Sequence, residues 1–337
     1  MNFVFLKKWG LLAFVLLLSM AIFVGCGQQD QEQSAQGEEN STEEGTNDDN
    51  EELAEKSEEL FPVTFTDDGG REVTIETEPQ SIVSIQASNT EMVFALGLGD
   101  KVIGVSDYCN YPAEVLEIQQ VGAQDINVEL ILTLLPDVVL VTDYHFNNYP
   151  EILANFEEAG IKVIVTGSAS SFADVYSMIE MIATATGSQV NGEEIISDMK
   201  QRLSVIKEKA AAVTNKKTVW VEVSPAPDIF TTGKNTFMHE MLESIQAINA
   251  AEAQDGWVSL TEEEIVKLDP EVVITTYGYY VDNPREEVLN RDGWAEVPAV
   301  KNEQVFDVDS DTVTRPGPRL IEGVETLADF IYPEIFK

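Results

Sequence analysis

The chain has 337 residues, 44% of them hydrophobic, which is enough for two domains with a substantial core. It carries 60 acidic residues against 20 Lys and Arg, a net charge of −40, and such a surface repels nucleic-acid phosphates and anionic lipid headgroups. Its two cysteines and two histidines exclude a disulfide framework, a cysteine-rich metal cluster and a site built on three histidines.

Residues 1–25 have the pattern of a secretory signal peptide. Lys7 and Lys8 form a basic start, and a long apolar stretch follows them. The segment Phe23-Val24-Gly25-Cys26 resembles a bacterial lipobox, in which the cysteine receives acyl chains such as palmitate and becomes the new N-terminus. We therefore expect Cys26 to anchor the chain to the outer face of the cytoplasmic membrane. A cleaved signal peptide followed by an incidental cysteine is the alternative.

Residues 26–60 are nearly devoid of apolar side chains and are dominated by Asp and Glu. A segment of this composition cannot bury enough surface to offset its chain entropy, and its like charges repel one another. The composition predicts a disordered acidic tether between the lipidated Cys26 and a globular body.

The globular body opens with strand and helix patterns in close succession. Residues 63–66 and 71–75 alternate in polarity and predict a hairpin, and residues 82–85 predict a short buried strand. The segment Ser88-Asn89-Thr90-Glu91 predicts a capping box at the start of a helix, and residues 102–105 predict the next strand. This order is typical of an α/β fold with a parallel sheet.

The second half of the body repeats features of the first half. The apolar strand pattern around residues 134–142 returns 134 positions later. A repeat of this length indicates two lobes of one architecture rather than a solenoid. The same offset relates Pro136 to Pro270, Gly122 to Gly256, and Glu129 to Glu263.

Between the two repeats the sequence predicts a long helix. Ile195, Met199, Leu203 and Ile206 lie along one face of residues 190–213, which would span about 36 Å. We therefore divide the body into an N-terminal lobe at 61–186, an interlobe helix at 187–213 and a C-terminal lobe at 214–337.

Two α/β lobes side by side leave a cleft where the carboxyl ends of their strands converge on a ligand. The loops predicted at this edge are rich in aromatic residues, which suit a large, flat, partly apolar ligand. Half-buried aromatic residues at the rim of the cleft are the alternative. The aromatic residues predicted to contact a ligand are Tyr108, Tyr111, Tyr144, Trp257, Tyr277 and Tyr279.

Several segments together resemble a known family. They are Ser81–Ile85, Ser88–Glu91, Ala95–Asp100 and Val105–Pro112, and they look like the opening of the class III solute-binding proteins of ABC importers. These proteins carry ferric siderophores, haem and cobalamin, and the resemblance extends over residues 61–337. It implies two Rossmann-like lobes joined by one rigid helix, with the ligand cleft between them.

The ending Arg315-Pro316-Gly317-Pro318-Arg319 resembles that of the cobalamin-binding branch. The resemblance implies that Arg315 reaches the ligand, that Arg319 pairs structurally, and that the rings of Tyr108 and Trp257 face the cleft. We therefore expect a corrinoid such as cobalamin as the ligand, with a ferric siderophore or haem as the alternative.

The family also docks on its permease through one carboxylate on each lobe. The resemblance places the first at Glu129 and the second at Glu243, with Glu240 as a neighbouring candidate. It implies an ABC permease with its ATPase as partners of a chain that acts as a monomer. Exposed carboxylates at two separated points would set orientation more than affinity.

Other sites are weaker alternatives. The sequence has no G-x-S-x-G motif, and we expect no enzymatic activity, no resident cofactor and no metal site of its own. His239 and Glu243 have the spacing of a metal pair but also of an ordinary surface pair. His145 and Cys109 are possible ligands of a cobalt or iron centre in the cargo, or a rim histidine and a buried thiol. A chelatase on the same lobes and an adhesive lipoprotein are the remaining classes.

Overall fold

The computed structural model describes residues 60–337, so the predicted signal peptide, the lipidation site Cys26 and most of the tether lie outside the described residues. The strands are β1 (Val63–Thr66), β2 (Glu72–Ile75), β3 (Ile82–Ser84), β4 (Val102–Val105), β5 (Val138–Thr142), β6 (Lys162–Thr166), β7 (Thr218–Glu222), β8 (Phe230–Thr232), β9 (Ile248–Asn249), β10 (Trp257–Ser259), β11 (Val272–Thr275) and β12 (Val305–Asp307).

The helices of the first half are α1 (Ala87–Ala95), α2 (Val128–Leu134), α3 (Asp143–Asn148), α4 (Pro150–Glu158), α5 (Phe172–Thr186) and α6 (Gln189–Ala210). Those of the second half are α7 (Phe237–Ser244), α8 (Glu262–Leu268), α9 (Pro284–Leu289), α10 (Pro298–Lys301), α11 (Ser310–Thr314), α12 (Leu320–Ile331) and α13 (Pro333–Phe336). Short 3₁₀ turns lie at Gly99–Lys101 and Ala113–Glu117.

Two parallel sheets of four strands form the body. The first has the strand order β4-β3-β5-β6 and the second has the order β12-β11-β7-β9. All five positions of β5 are buried, as expected for a β-branched strand with both of its faces covered. The predicted hairpin is confirmed, since β1 and β2 pair antiparallel with Val63 opposite Ile75. The α/β fold class is therefore confirmed, with one parallel sheet on each side of α6.

The long helix α6 packs against both halves of the molecule. It has 22 residues, a length of about 33 Å, and lies inside the predicted range 187–213. Met199 and Ile206 on its buried face belong to one apolar cluster that also contains Leu140 of β5 and Val221 of β7. The helix is therefore a shared part of the core rather than an isolated connector.

The repeat is visible in the backbone. Helices α2 and α8 both end in a residue with positive φ, Leu135 at 46° and Asp269 at 54°, and a proline and a buried strand follow each of them. The side chains of Asn127 and Thr261 cap the two helices by accepting a hydrogen bond from a backbone N–H three residues later. The two lobes therefore present the same turn and helix at equivalent places.

The predicted capping box at the start of α1 is wrong. The helix begins at Ala87, so Ser88 lies within its first turn, and the N-cap residue Gln86 makes no capping hydrogen bond with its side chain. Glu91 does not fold back onto the N-terminus, because two arginines of the C-terminal lobe bind its carboxylate. The first turn of α1 is left without a local cap.

Candidate functional site

A cavity of about 300 Å³ lies between the two lobes. One wall is formed by residues that follow β3, β4 and β5, which is the edge of a parallel sheet where ligands bind. The opposite wall is formed by residues 314–316 of the second lobe. The cavity is therefore a site to which both lobes contribute.

Three of the residues predicted to contact a ligand line this cavity together. They are Tyr108, Tyr144 and Arg315. Tyr108 is 70% exposed, and Tyr144 is also exposed while its ring packs edge-on against Tyr149 at 5.9 Å between centroids. Exposed aromatic faces of this kind can cover a flat apolar surface.

Trp257 and Tyr279 are exposed in the C-terminal lobe but are not among the residues that line the cavity. Trp257 is 50% exposed and lies on β10, opposite Thr232 of β8. Tyr279 packs edge-on against Tyr280 at 4.7 Å between centroids. Their contact with a ligand stays a prediction.

Arg315 is held by groups from both lobes. Its guanidinium donates hydrogen bonds to Glu91 Oε1 at 3.0 Å, to Asn110 Oδ1 at 2.6 Å and to the Tyr108 carbonyl at 3.2 Å. It also lies 2.9 Å from a carboxylate oxygen of Asp311. Arg315 therefore lines the cleft as part of an interlobe network, a partnership that the sequence did not reveal.

Glu91 is the centre of this network. Its buried carboxylate accepts two hydrogen bonds from Arg319, at 2.8 and 2.7 Å, in addition to the one from Arg315. Burial alone would lower the pKa of Arg319, and the hydrogen bonds and charge of Glu91 outweigh it, so that this pKa is raised. The structural pairing expected for Arg319 is present.

Tyr111 packs against a side chain of the other lobe. The guanidinium of Arg319 lies over its ring at 4.0 Å from the centroid. Tyr111 lines a groove beside α6, together with Met199 and Arg202, and is not among the residues that line the interlobe cavity. Its ring supports the interlobe network, and its contact with a ligand stays a prediction.

The structure corrects the prediction for Tyr277, whose side chain is fully buried. Its hydroxyl donates a hydrogen bond to Glu222 Oε1 at 2.7 Å, and Arg291 Nη2 lies at the same distance from that oxygen. Burial, together with the charge of Glu222, raises the pKa of Tyr277. Its burial and its hydrogen bond to Glu222 give the residue a structural role.

His145 and Cys109 have structural partners. The ring of His145 is buried, its Nδ1 lies 2.8 Å from the Thr142 hydroxyl, and its Nε2 lies 2.8 Å from the Ala123 carbonyl. Burial lowers the pKa of His145, and with both nitrogens engaged the ring is neither an exposed rim group nor a free metal ligand. Cys109 is a buried thiol, as one of the two interpretations predicted, and burial raises its pKa.

The glutamates predicted to dock on a permease occupy different positions on their helices. Glu129 is exposed at the second residue of α2, whereas Glu243 is exposed in the last turn of α7, 3.6 Å from His239. The residue equivalent to Glu129 in the other lobe is Glu263, which is exposed at the second residue of α8. Sequence reasoning passed over Glu263, although the 134-residue offset already related it to Glu129.

The neighbouring candidate Glu240 has a structural role, since its Oε2 accepts a hydrogen bond from the Phe172 N–H at 2.8 Å. This contact caps the start of α5 from the other lobe. Among residues 60–337 there is no cluster of three or more His, Cys, Asp or Glu side chains able to hold a metal ion. In the same range no helix is long and apolar enough to span a bilayer.

Comparisons with known proteins place the chain among transport components. A family model described as periplasmic binding protein matches residues 82–312. The uncharacterized ABC transporter substrate-binding lipoprotein YvrC of Bacillus subtilis is 44% identical over 98% of this chain and 99% of its own length. A vitamin B12-binding protein of Vibrio cholerae is 27% identical over 75% of this chain and 89% of its own length. The apo structure of the periplasmic haem-binding protein RhuT of Roseiflexus has a TM-score of 0.68 at 26% identity and covers 75% of this chain and 98% of its own.

Proposed function

Because the chain belongs to the periplasmic binding protein family and is the substrate-binding component of an ABC transporter, we propose that it captures a corrinoid such as cobalamin in the interlobe cleft. It then delivers this cargo to the permease. The chain acts as a transport component and not as an enzyme.

The observation that carries the proposal is the shared cavity. Tyr108 and Tyr144 of one lobe and Arg315 of the other face the same space, at the carboxyl ends of the strands. Two exposed rings can pack on a macrocycle, and a guanidinium can donate hydrogen bonds to its polar side groups. The relative of Vibrio cholerae that binds vitamin B12 supports this choice of cargo.

Haem is the second candidate cargo. The similarity to a haem-binding structure favours it, and a tyrosine hydroxyl can ligate haem iron. Tyr108, with its exposed side chain at the cavity, is the residue that would do so.

The cargo is tested by titrating the purified chain with cyanocobalamin, haem and ferrichrome while the tryptophan fluorescence is recorded. Trp257 is half exposed, whereas Trp220 and Trp294 are fully buried. We expect cyanocobalamin to quench the emission, and the quench to shrink in Trp257→Phe but not in the buried control Trp294→Phe. Binding of haem or ferrichrome without any binding of cyanocobalamin would refute the corrinoid cargo and leave the importer role intact.

The family resemblance implies docking on the permease through one carboxylate on each lobe, and we propose Glu129 and Glu263 as this pair. Equivalent positions on α2 and α8 support Glu263, while the family resemblance favours Glu243. Charge reversal to Arg should abolish cargo-stimulated ATP hydrolysis by the reconstituted transporter and leave the affinity for cargo unchanged. Comparing Glu263→Arg with Glu243→Arg decides between the two candidates, because only the variant at the docking residue should lose cargo-stimulated ATP hydrolysis.

We further propose that the chain is anchored outside the cytoplasmic membrane through acyl chains on Cys26. The lipoprotein name of the Bacillus subtilis relative, which matches nearly the whole chain, supports this anchor. Metabolic labelling with palmitate should mark the wild-type chain in the membrane fraction. The variant Cys26→Ala should lose the label, and retention of the label would refute the anchor.

A further inference from the structure

The start of helix α1 forms part of the wall of the interlobe cavity. Residues 85–88 line the cavity, and they include the N-cap residue and the first two residues of this nine-residue helix. The N-terminus of α1 therefore faces the ligand space. The first N–H groups of a helix have no partner inside the helix. Gln86 provides no side-chain cap, and the first turn contains no acidic residue. The positive end of α1 is therefore uncompensated at the point where it meets the cleft.

A buried hydroxyl lies in the same turn without a partner. Ser88 is 1% exposed and lines the cavity, and its Oγ has no hydrogen-bond partner among residues 60–337. The side-chain oxygen of Gln86, which also lines the cavity, is buried and unpartnered in the same range. Buried polar atoms of this kind are normally satisfied. The Ser88 hydroxyl can donate to an acceptor that enters the cavity, whereas the Gln86 oxygen is itself an acceptor, so Gln86 can serve such a group only through its NH₂.

The donors at this turn favour an anionic oxygen group as that partner, because the free backbone N–H groups and the Ser88 hydroxyl can all donate to it. Glu91 lies one turn further along α1 and is shared between Arg315 and Arg319, and Asp311 also pairs with Arg315, so these four charges balance one another. Arg315 lines the same cavity from the opposite lobe. A helix N-terminus that faces a guanidinium is a favourable place for a carboxylate or a phosphate.

We propose that the N-terminus of α1, with the Ser88 hydroxyl and the amide of Gln86, forms a subsite that binds an anionic oxygen group of the cargo. This inference rests on the proposed function, because it assigns one edge of the bound cargo to a place in the cleft. The group is a phosphate if the cargo is a corrinoid with its nucleotide loop, and a carboxylate if the cargo is haem with its propionates. The subsite therefore sets which edge of the macrocycle enters the cavity first.

The test compares pairs of cargo molecules, one with and one without the anionic group. The full chain in detergent is titrated with cyanocobalamin and with dicyanocobinamide, which lacks the nucleotide loop and its phosphate, and in parallel with haem and its dimethyl ester, which differ in the charge of the propionates. The wild type should bind the anionic member of the pair that fits the cleft at least about 10-fold more tightly. Ser88→Ala should weaken the anionic member about 10-fold, Ser88→Glu should weaken it further, and Ser88→Thr should retain it. The neutral members should not respond to these changes.

Gln189→Glu is the matched control. It places a carboxylate at the first residue of α6, another helix whose N-cap side chain makes no capping hydrogen bond, away from the cavity. It should leave all affinities unchanged, and the melting temperatures of the variants verify that they are folded.

Equal affinity for both members of a pair, or an equal loss for both in Ser88→Ala, would overturn the subsite while the transport role stands. Tighter binding of the uncharged ferrichrome than of either anionic cargo would also overturn it. If no cargo binds the wild type, the proposed cargo fails, and the subsite is then tested by titrating the chain with inorganic phosphate and recording the NMR signals of its backbone amides. Saturable shifts of the signals of residues 87–89 that disappear in Ser88→Glu would support the subsite. Their absence in the wild type would overturn it.

Discussion

The ion network around Glu91 predicts a large effect of a very small change. Glu91→Gln keeps the size of the side chain but removes the negative charge between Arg315 and Arg319. The carboxylate is 2% exposed, so the two guanidinium groups lose their main partner in a poorly solvated place. Removing one partner of a buried ion pair costs about 3–5 kcal/mol. Asp311, 2.9 Å from Arg315, compensates in part, so we expect a loss near the lower limit, about 3 kcal/mol.

The loss is measured as the free energy of unfolding from urea titration at neutral pH, with a fall in melting temperature of roughly 6 °C as the second readout. Glu325→Gln is the control, because Glu325 pairs with Arg202 at 2.7 Å but is 45% exposed. An exposed pair contributes about 0.5 kcal/mol, so the control should change little. A loss below about 1 kcal/mol for Glu91→Gln, or a loss equal to that of the control, would refute the view that this network joins the lobes.

Three further predictions follow from the buried groups. Tyr277→Phe should reduce the free energy of unfolding by about 1–2 kcal/mol, because Glu222 loses a hydrogen-bond donor. It should leave cargo affinity unchanged in the fluorescence titration, and a weaker affinity would show that Tyr277 belongs to the binding site. The lowered pKa of His145 means that below about pH 6.5 the unfolded chain binds more protons than the folded one, so stability falls as the pH drops. His145→Gln should therefore lose less stability than the wild type between about pH 7 and pH 5, and an equal loss would contradict this reasoning. In the Cys26→Ser chain, the thiol of Cys109 should react with a disulfide reagent far more slowly when folded than in urea, because it is buried and its pKa is raised; equal rates would show an accessible thiol.

Much of the fold was predictable because it depends on local patterns. The hairpin at residues 63–66 and 71–75, the buried strand β5 and the long helix α6 were all indicated by the periodicity of apolar residues. The capping box at Ser88–Glu91 was wrong because its motif is local, whereas Glu91 is bound by arginines more than 200 positions away in the chain. A charge that finds its partner in another lobe leaves no signature in its own segment.

The location of the site was predictable from the sequence, but the residues that line it were less so. Loops at the carboxyl ends of strands brought Tyr108 and Tyr144 to the cavity, as the order of elements indicated. Tyr111 and Tyr277 lie in loops of the same kind, but one face of the Tyr111 ring packs against Arg319 and Tyr277 is turned into the core. Sequence shows that an aromatic residue follows a strand and does not show which way its ring turns.

The sharing of one apolar cluster between α6 and both lobes has a consequence for unloading. Lobes that move freely about a hinge have few contacts with each other. Here, opening of the cleft would separate packed side chains and break the ion pairs of Glu91. We therefore expect the free protein to open little and to meet its solute through a cleft that is already formed. Under the proposed function, the energy for releasing the cargo would then come from docking on the membrane complex rather than from spontaneous opening.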